Sequence, residues 1–336
     1  MRPFLDLTDL SDDRLQALLA LAGELESAPV RRSLAGKIVG LLFMNPSLRT
    51  FASMDAGVKQ LGGDTVVITP GQSSWKIETE DGAVMDGEAA EHVREAIPVL
   101  AQYADALAVR CFAGGRDLQA DLADTVIRTM AALSPVPFIN LESAAAHPCQ
   151  ALADWKTLDD LAVPRRGGRF VLSWAYHPKA LPYAVPASAL RMAAMRGMDI
   201  TVLRPEGFSL PESVMTGAVE IARHSGARIR ETSDRREGME GAHVLYAKSW
   251  AAPSLYAKPE EEAALRSPLR DWCVAESWFE TAAPNASFMH CLPVRRNVKV
   301  ADEVLDGPRS AVVRQAGNRL HVQKALLLDM LTEERP

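Results

Sequence analysis

The chain has 336 residues, 48% hydrophobic and 24% charged, which is ordinary for a folded enzyme of about two domains. Its net charge of −6 argues against a nucleic-acid partner, which would favour a basic surface. Four cysteines without a C-x-x-C pair favour a reducing cytoplasm over a secreted protein, and we predict neither a signal peptide nor a membrane-spanning segment.

Strands and helices alternate along the first part of the chain. Ser11 can cap an amphipathic helix, because apolar residues recur after it at helical spacing. Strands are then predicted at 37–44, 65–68, 106–110 and 137–140, and helices at 91–103 and 150–161. This alternation is typical of a parallel sheet with crossover helices.

A break at 162–168 separates this part from a second series. Further strands are predicted at 169–174, 199–203 and 243–246, and a last helix at about 320–331. We therefore predict an α/β protein of two doubly wound parallel-sheet domains, with the active site in the crevice between them. The first domain would comprise residues 1–150 together with a C-terminal helix at about 318–336, and the second residues 151–317.

The residues directly after the first predicted strand form a candidate anion site. Ser47, Leu48, Arg49 and Thr50 stand at a predicted helix start, where unpaired backbone N–H groups and the helix dipole favour an anion. Two hydroxyls and a guanidinium on one turn add donors for phosphate oxygens. By themselves these four residues are interpreted as a serine cap and a surface arginine.

Two further strand ends carry polar side chains. Arg110 ends the strand at 106–110, and His147 and Gln150 follow the strand at 137–140, where Pro148 fits a helix start. A histidine and a glutamine there can polarise a carbonyl oxygen. The alternatives are a solvated strand-end arginine and an ordinary helix cap, and the histidine has too few partners for zinc.

The sequence has neither a Walker loop nor a G-x-G-x-x-G fingerprint. This absence argues against a dinucleotide-dependent oxidoreductase, the rival from another enzyme class. No other cofactor or metal signature is present, so we predict a reaction without either.

Taken together, the motifs resemble the aspartate/ornithine carbamoyltransferase family in order and spacing over essentially the whole chain. The residues that carry the resemblance are Ser47-Leu48-Arg49-Thr50, Arg110, His147-Pro148-Cys149-Gln150 and His290-Cys291-Leu292-Pro293. The closer likeness is to the branch that acts on N-acetylornithine or N-succinylornithine. Ordinary ornithine enzymes carry an aspartate for the free α-ammonium, whereas Lys248 occupies the corresponding stretch here and suits a substrate whose α-amine is acylated.

The resemblance implies a role for each matching residue. Carbamoyl phosphate would be held by Ser47, Leu48, Arg49, Thr50, Trp75, Arg110, His147, Gln150, Cys291, Leu292 and Arg319. Among these, the catalytic groups would be Arg49, Thr50, Arg110, His147 and Gln150. The amino-acid substrate would be contacted by Ala90, Glu142, Lys248, Leu292 and Lys299. The branch is a homotrimer in which Trp75 would enter the site of a neighbouring subunit.

Three positions leave alternatives open. Phe51 replaces a family arginine, so a non-catalytic paralogue is one alternative. Ordinary ornithine or aspartate carbamoyl transfer is a separate alternative within the family. Ala90 replaces a glutamate of acetyl-specific relatives and leaves room for a succinyl group, unless it is only a small helix-start residue. Lys299 matches a lysine of the acetyl branch that can be carbamylated by carbon dioxide, but as an ammonium it would attract a succinyl carboxylate.

Overall fold

The computed structural model describes residues 3–27 and 32–332. It divides into two compact units, which we call unit 1 and unit 2. Unit 1 comprises the described residues of Met1–Ala113, Ala120–Leu152 and Arg319–Pro336, and unit 2 comprises Gly114–Gln119 and Ala153–Asn318. The outer limits predicted for the first domain, residues 1 and 336, lie outside the described residues. No helix in the described ranges has the length and apolarity needed to cross a membrane.

Unit 1 is built on a parallel sheet of four strands in the order β2-β1-β5-β6. Its strands are β1 (Ile38–Phe43), β2 (Asp64–Ile68), β3 (Lys76–Glu78), β4 (Ala89–His92), β5 (Ala106–Arg110) and β6 (Phe138–Glu142). Its helices are α1 (Asp12–Ser27), α2 (Leu48–Gln60), α3 (Val93–Leu100), α4 (Leu118–Ala123) and α5 (Thr125–Leu133), of which α4 crosses the unit boundary. β5 is buried along its whole length, as expected for a central strand covered on both faces.

Unit 2 has a parallel sheet of five strands in the order β11-β10-β7-β8-β9. These strands are β7 (Arg169–Trp174), β8 (Asp199–Leu203), β9 (Arg228–Thr232), β10 (Val244–Lys248) and β11 (Ser287–Met289). The helices are α6 (Pro148–Asp160), α7 (Ala184–Met195), α8 (Glu212–Ser225), α9 (Arg235–Met239), α10 (Pro259–Arg266), α11 (Asp302–Leu305) and α12 (Val312–Leu331). α6 and α12 each begin in one unit and end in the other. The prediction of parallel α/β architecture in two domains is confirmed.

The predicted helix at 91–103 is wrong at its start. Residues Ala89–His92 form β4, which pairs in parallel with β3, and the helix begins only at Val93. The register shifts between Lys76 and Ile77, whose partners are Ala89 and Glu91, so Ala90 is the extra residue of a β-bulge. His92 caps α3 by accepting from the backbone N–H of Arg94, which fixes the later helix start. Ala90 is therefore not a helix-start residue.

Most of the exposed large apolar side chains belong to unit 1. In the described part of the chain, unit 1 holds nine of the twelve: Leu48, Phe51, Val66, Val67, Trp75, Val84, Met85, Val99 and Tyr103. Val66 and Val67 lie on β2, an edge strand of the unit 1 sheet. The edge strand β9 of unit 2 instead carries three charged residues out of five, Arg228, Arg230 and Glu231, and charge on an edge strand discourages pairing with another sheet.

Candidate active site

The start of α2 has the construction expected of an anion site. Ser47 stands at the cap in extended conformation, and its hydroxyl accepts from the backbone N–H of Thr50 at 3.2 Å. The first turn contains no acidic residue, so nothing there opposes the positive end of the helix dipole. Leu48 is 79% exposed and Thr50 is fully buried, so successive residues of this turn face solvent and interior.

Arg319 of α12 joins the residues that follow two different strands. Its guanidinium donates to the Thr50 hydroxyl at 2.8 Å and to Oε1 of Gln150 at 3.2 Å. Nη1 of Arg319 also lies 3.5 Å from Nε2 of His147. All four side chains are buried. Burial, together with the charges of Arg110 and Arg49, lowers the pKa of the Arg319 guanidinium.

Arg110 is paired with an acidic residue of the neighbouring strand. Nη1 of Arg110 forms an ion pair with Oε2 of Glu142, which ends β6. The same carboxylate oxygen lies 3.3 Å from Nε2 of His147. The Arg110 guanidinium also lies 4.3 Å from the centroid of the Phe112 ring, a cation–π contact that fixes its plane. Glu142, predicted as a substrate contact, thus touches two predicted carbamoyl phosphate ligands.

A buried network shapes the turn that leads to His147. The hydroxyl of Ser143 donates to Asp124 at 2.5 Å, and the amide group of Asn140 donates to the Ser143 hydroxyl at 2.9 Å. Asp124 also accepts the backbone N–H of Ala144 at 3.1 Å. Burial raises the pKa of the Asp124 carboxyl. Sequence reasoning missed this network because no element and no motif was predicted between the strands at 106–110 and 137–140, where Asp124 lies.

Trp75 and Ala90 lie together on the β3–β4 segment. The Trp75 indole N–H donates to Oε2 of Glu91 at 2.7 Å, although the side chain is 59% exposed. Ala90, in the bulge next to Glu91, is exposed as well. The structure therefore links the residue predicted to reach a neighbouring subunit with the residue predicted to select the acyl group.

The predicted substrate residues of unit 2 form a cluster of positive charge. Lys248 ends β10, and Lys299 is only 1% exposed. Burial and the charge of Lys248 lower the pKa of Lys299 to about 7. Burial, together with the charges of Lys299, Arg295 and Lys248, lowers the pKa of His177 to about 4. We call these four residues the cationic cluster.

His177 is a neutral member of this cluster. Its Nε2 accepts from Nε of Arg295 at 3.2 Å, and its Nδ1 lies 2.8 Å from the carbonyl oxygen of Lys179. The contact with Arg295 requires Nε2 to accept, which in a neutral ring leaves the proton on Nδ1. Neither Lys248 nor Lys299 forms an ion pair with a carboxylate within the described ranges. An anionic ligand would supply the missing negative charge.

Cys291 and Leu292 follow β11 in a turn of unusual conformation. Leu292 has a φ of +56°, a region that non-glycine residues occupy at a cost of about 1 kcal/mol or more. Its backbone N–H donates to Nδ1 of His290 at 2.8 Å, and the backbone N–H of His290 donates to Gln315 at 2.9 Å. Gln315 in turn donates to Asp154 at 2.7 Å. Buried side chains of unit 2 thus hold the turn in place.

The predicted site residues fall in both units, and each unit brings some of them together. Unit 1 brings together Thr50, Arg110, Glu142, His147, Gln150 and Arg319, and unit 2 groups Lys248 and Lys299. Trp75 is hydrogen-bonded to Glu91 within its own segment rather than to this group. In the described ranges, no group of three or more histidine, cysteine or acidic side chains is arranged to hold a metal ion.

Comparison with known proteins covers the whole chain. Residues 2–160 match the aspartate/ornithine carbamoyltransferase carbamoyl-P binding domain, and residues 184–330 match the Asp/Orn binding domain of the same family. The chain is 40% identical to N-acetylornithine carbamoyltransferase of Xanthomonas campestris, with 100% of this chain and 99% of that protein covered. It is 34% identical to N-succinylornithine carbamoyltransferase of Bacteroides thetaiotaomicron, with 99% of each covered.

A solved structure gives the same result for the fold. The chain superimposes on acetylornithine transcarbamylase complexed with acetylcitrulline with a TM-score of 0.95 and 40% identity, over 99% of this chain and 100% of that one. The resemblance stated from the sequence motifs is thereby confirmed at the level of the family. The chain belongs to the aspartate/ornithine carbamoyltransferase family.

Proposed function

We propose that this protein transfers the carbamoyl group of carbamoyl phosphate to the δ-amine of an N-acylated L-ornithine, giving an N-acyl-L-citrulline and phosphate for arginine biosynthesis. The observation that carries the choice of substrate is the cationic cluster. Lys248 stands where an ordinary ornithine enzyme needs a negative charge. Lys299 lies near enough to Lys248 that the charge of Lys248 lowers the pKa of Lys299. Such a site attracts the α-carboxylate and repels a free α-ammonium, a charge that acylation removes.

Unit 1 is proposed as the carbamoyl-phosphate domain. The start of α2 and the guanidinium groups of Arg49, Arg110 and Arg319 would neutralise the phosphate. Thr50 and Gln150 already accept from Arg319, so these groups are oriented before any ligand arrives. Unit 2 is proposed as the amino-acid domain, contributing the cationic cluster and the turn at Cys291 and Leu292.

The reaction requires a neutral amine. The reference pKa of such an amine is about 10.4, so it must lose a proton before or during binding. Its lone pair then forms the new C–N bond while the C–O bond to phosphate breaks, and the amine gives up one further proton. Negative charge grows on the carbonyl oxygen, where His147, Arg110 and Thr50 would stabilise it. Carbamoyl phosphate is already activated, so neither a metal nor an organic cofactor is needed.

Glu142 is proposed to act on both Arg110 and His147 and on the substrate amine. Its carboxylate is paired with Arg110 and lies 3.3 Å from Nε2 of His147. Both of these groups are proposed to stabilise negative charge on the carbonyl oxygen of carbamoyl phosphate. The negative charge favours an N–H group on the His147 nitrogen that faces it. The same carboxylate can attract the δ-ammonium of the incoming substrate, because opposite charges at close range favour each other.

We propose N-succinylornithine as the preferred substrate, with N-acetylornithine as the alternative. Ala90 lies at a β-bulge, a feature that redirects a side chain, and its methyl group neither fills space nor carries charge. A cationic Lys299 would add attraction for a second carboxylate. The higher overall identity to the acetyl enzyme favours the alternative.

Two other functions remain as alternatives on specific residues. Ordinary ornithine carbamoyl transfer would require Lys248 to face the α-ammonium, which its charge opposes. The non-catalytic paralogue is suggested by Phe51, which stands where the family has an arginine. The Phe51 ring packs edge-on against Phe43, with 6.1 Å between the ring centroids. The hydrogen bonds among Thr50, Gln150 and Arg319 are present despite this change, which favours a working phosphate site.

We also propose a cytoplasmic homotrimer whose active sites are shared between subunits. The exposed apolar side chains are concentrated on unit 1, and contiguous apolar surface marks interfaces. Trp75 is exposed and held in place by Glu91, as a residue that serves another subunit would be. Mixing inactive Arg110→Ala chains with inactive Trp75→Ala chains should restore activity. No recovery after verified subunit exchange would contradict a shared site.

A substrate panel tests the function itself. Purified protein and carbamoyl phosphate should be incubated with ornithine, aspartate, N-acetylornithine and N-succinylornithine, and the ureido product measured. We expect product from the two acylated ornithines only. Product from free ornithine or aspartate would identify one of the ordinary activities, and no product from any of the four would favour the non-catalytic paralogue.

A further inference from the structure

A buried ion pair on α10 stands apart from the residues considered so far. Glu262 and Arg266 are 2% and 1% exposed, and they face each other one helical turn apart. Nε of Arg266 donates to Oε2 of Glu262 at 3.0 Å, and Nη2 pairs with Oε1. Burying two charges costs several kcal/mol per ion and often leaves no net stabilisation, so stability alone does not account for this pair.

Arg266 also holds the segment that follows β7. Its Nη1 donates to the carbonyl oxygen of His177 at 3.2 Å and to that of Lys179 at 2.9 Å. The Lys179 carbonyl is also the partner of Nδ1 of His177. Since Nε2 of His177 contacts Arg295, the orientation of the imidazole in the cationic cluster depends on where Arg266 places this turn.

Glu262 holds the segment that follows β10. Its Oε1 accepts the backbone N–H of Ala252 at 3.3 Å, four residues after Lys248. This second segment is joined to the first, because the backbone N–H of Ala251 donates to the carbonyl oxygen of Leu181 at 3.0 Å. β7 and β10 are neighbours in the sheet, so one ion pair anchors two adjacent strand-end segments.

We propose that Glu262 and Arg266 are positioning residues, which act through these two segments to present His177 and Lys248 to the amino-acid substrate. This inference rests on the proposed function for its effect on catalysis. Neither residue needs to touch the substrate, since both act through backbone groups. Because the two charges neutralise each other, neither is left unpaired in the interior. Arg266 can therefore bind the segment after β7 and Glu262 the segment after β10.

The test is the double variant Glu262→Leu/Arg266→Met. Removing only one partner would leave an unpaired buried charge and risk unfolding, whereas replacing both by apolar groups is often neutral for stability. We expect a folded protein whose KM for the N-acylornithine rises at least tenfold, while its Kd for carbamoyl phosphate stays within twofold. A merely structural role would change both constants together or neither.

A second ion pair of unit 2, whose arginine is buried and whose aspartate is partly exposed, provides the control. Arg196 is 4% exposed, pairs with Asp159 at 2.6 Å and donates to the carbonyl oxygen of Val163 at 2.7 Å. The variant Arg196→Met/Asp159→Leu therefore also removes a charge pair and a carbonyl contact from unit 2. We expect its KM for the N-acylornithine to stay within twofold of the wild type.

Hydrogen exchange decides the structural part independently of activity. Peptides covering residues 175–182 and 247–253 should exchange at least tenfold faster in Glu262→Leu/Arg266→Met and at the wild-type rate in the control. Unchanged exchange in both segments, or an unchanged KM, would overturn the proposal. A wild type without any transfer activity would refute the proposed function instead, and the exchange rates would still test the positioning role.

Discussion

The cationic side chains of unit 1 have hydrogen-bond or ion-pair partners, whereas the lysines of unit 2 lie next to other cations. In unit 1, Arg110 is paired with Glu142, and Arg319 donates to Thr50 and Gln150, so positive charge already has partners. In unit 2, Lys248 and Lys299 lie close enough for one to lower the pKa of the other. The cations of unit 1 are therefore already hydrogen-bonded or paired, whereas Lys248 and Lys299 have no carboxylate partner among the described residues.

This difference has consequences for binding and pH. A site whose donors are already oriented loses little entropy when the ligand binds. A cluster of like charges stores repulsion that an anionic ligand relieves, and its protonation changes within the physiological range. Each prediction below would weaken or sharpen this contrast.

The largest effect is expected from Arg49→Ala. Loss of a guanidinium at the start of α2 removes charge-assisted hydrogen bonds to phosphate, which should weaken carbamoyl phosphate binding by about 100-fold or more. Calorimetry measures the affinity, and circular dichroism checks that the fold is intact. Arg128→Ala, on α5 of the same unit, serves as the control with unchanged affinity. Unchanged binding in Arg49→Ala would show that the anion site lies elsewhere.

Lys248→Met should affect the other substrate. Hydrogen bonds to charged groups are worth about 2 kcal/mol, so we expect KM for the N-acylornithine to rise roughly 30-fold. Affinity for carbamoyl phosphate should remain unchanged, because that ligand is assigned to unit 1. Steady-state kinetics with each substrate varied in turn measures both. Equal losses for the two substrates would end the separation of roles between the units.

Ala90→Glu tests the choice of acyl group. A carboxylate in the bulge would repel a succinyl carboxylate and fill its space. We expect the ratio of kcat/KM for N-succinylornithine to that for N-acetylornithine to fall about tenfold, or roughly 1.4 kcal/mol of differential transition-state binding. Ala90→Gln, which adds size without charge, separates the two causes. An unchanged ratio would remove Ala90 from the specificity argument, and a wild type that strongly prefers acetyl would overturn the choice of succinyl.

The last prediction concerns the pH dependence of stability. The pKa of Lys299 is lowered from 10.5 to about 7 in the folded chain by burial and neighbouring cations. Between these values the unfolded chain binds one more proton at this lysine than the folded chain does. The free energy of unfolding therefore rises with pH in that window, by at most about 1.4 kcal/mol per pH unit. Urea unfolding at pH 6 to 9.5 should show this rise in the wild type relative to Lys299→Met. The exposed lysine variant Lys258→Met should follow the wild type, and parallel curves for wild type and Lys299→Met would contradict the lowered pKa.

Several features of the fold could be read from the sequence because they depend on local patterns. The strand at 169–174 is observed within those bounds, and Ser11 caps α1 by accepting from the backbone N–H of Arg14. Pro148 begins α6, as its missing N–H and fixed φ favour. β3, β9 and β11 were missed. β9 is a charged edge strand without a continuous apolar run, and β3 and β11 have only three residues each. The last two residues of β4, Glu91 and His92, were predicted as helix because the pairing of β4 with β3 is not a local property.

The sequence by itself determined the family, the alternation of strands and helices, and the residue types placed after the strands, because neighbours along the chain decide these. Only the tertiary structure decided that Arg319 contacts Thr50 and Gln150, residues 269 and 169 positions away. It also decided that Glu142 pairs with Arg110 and that Lys299 is buried beside like charges. Ion pairing and the pKa of a lysine depend on distances and burial in space, and sequence separation carries no information about either.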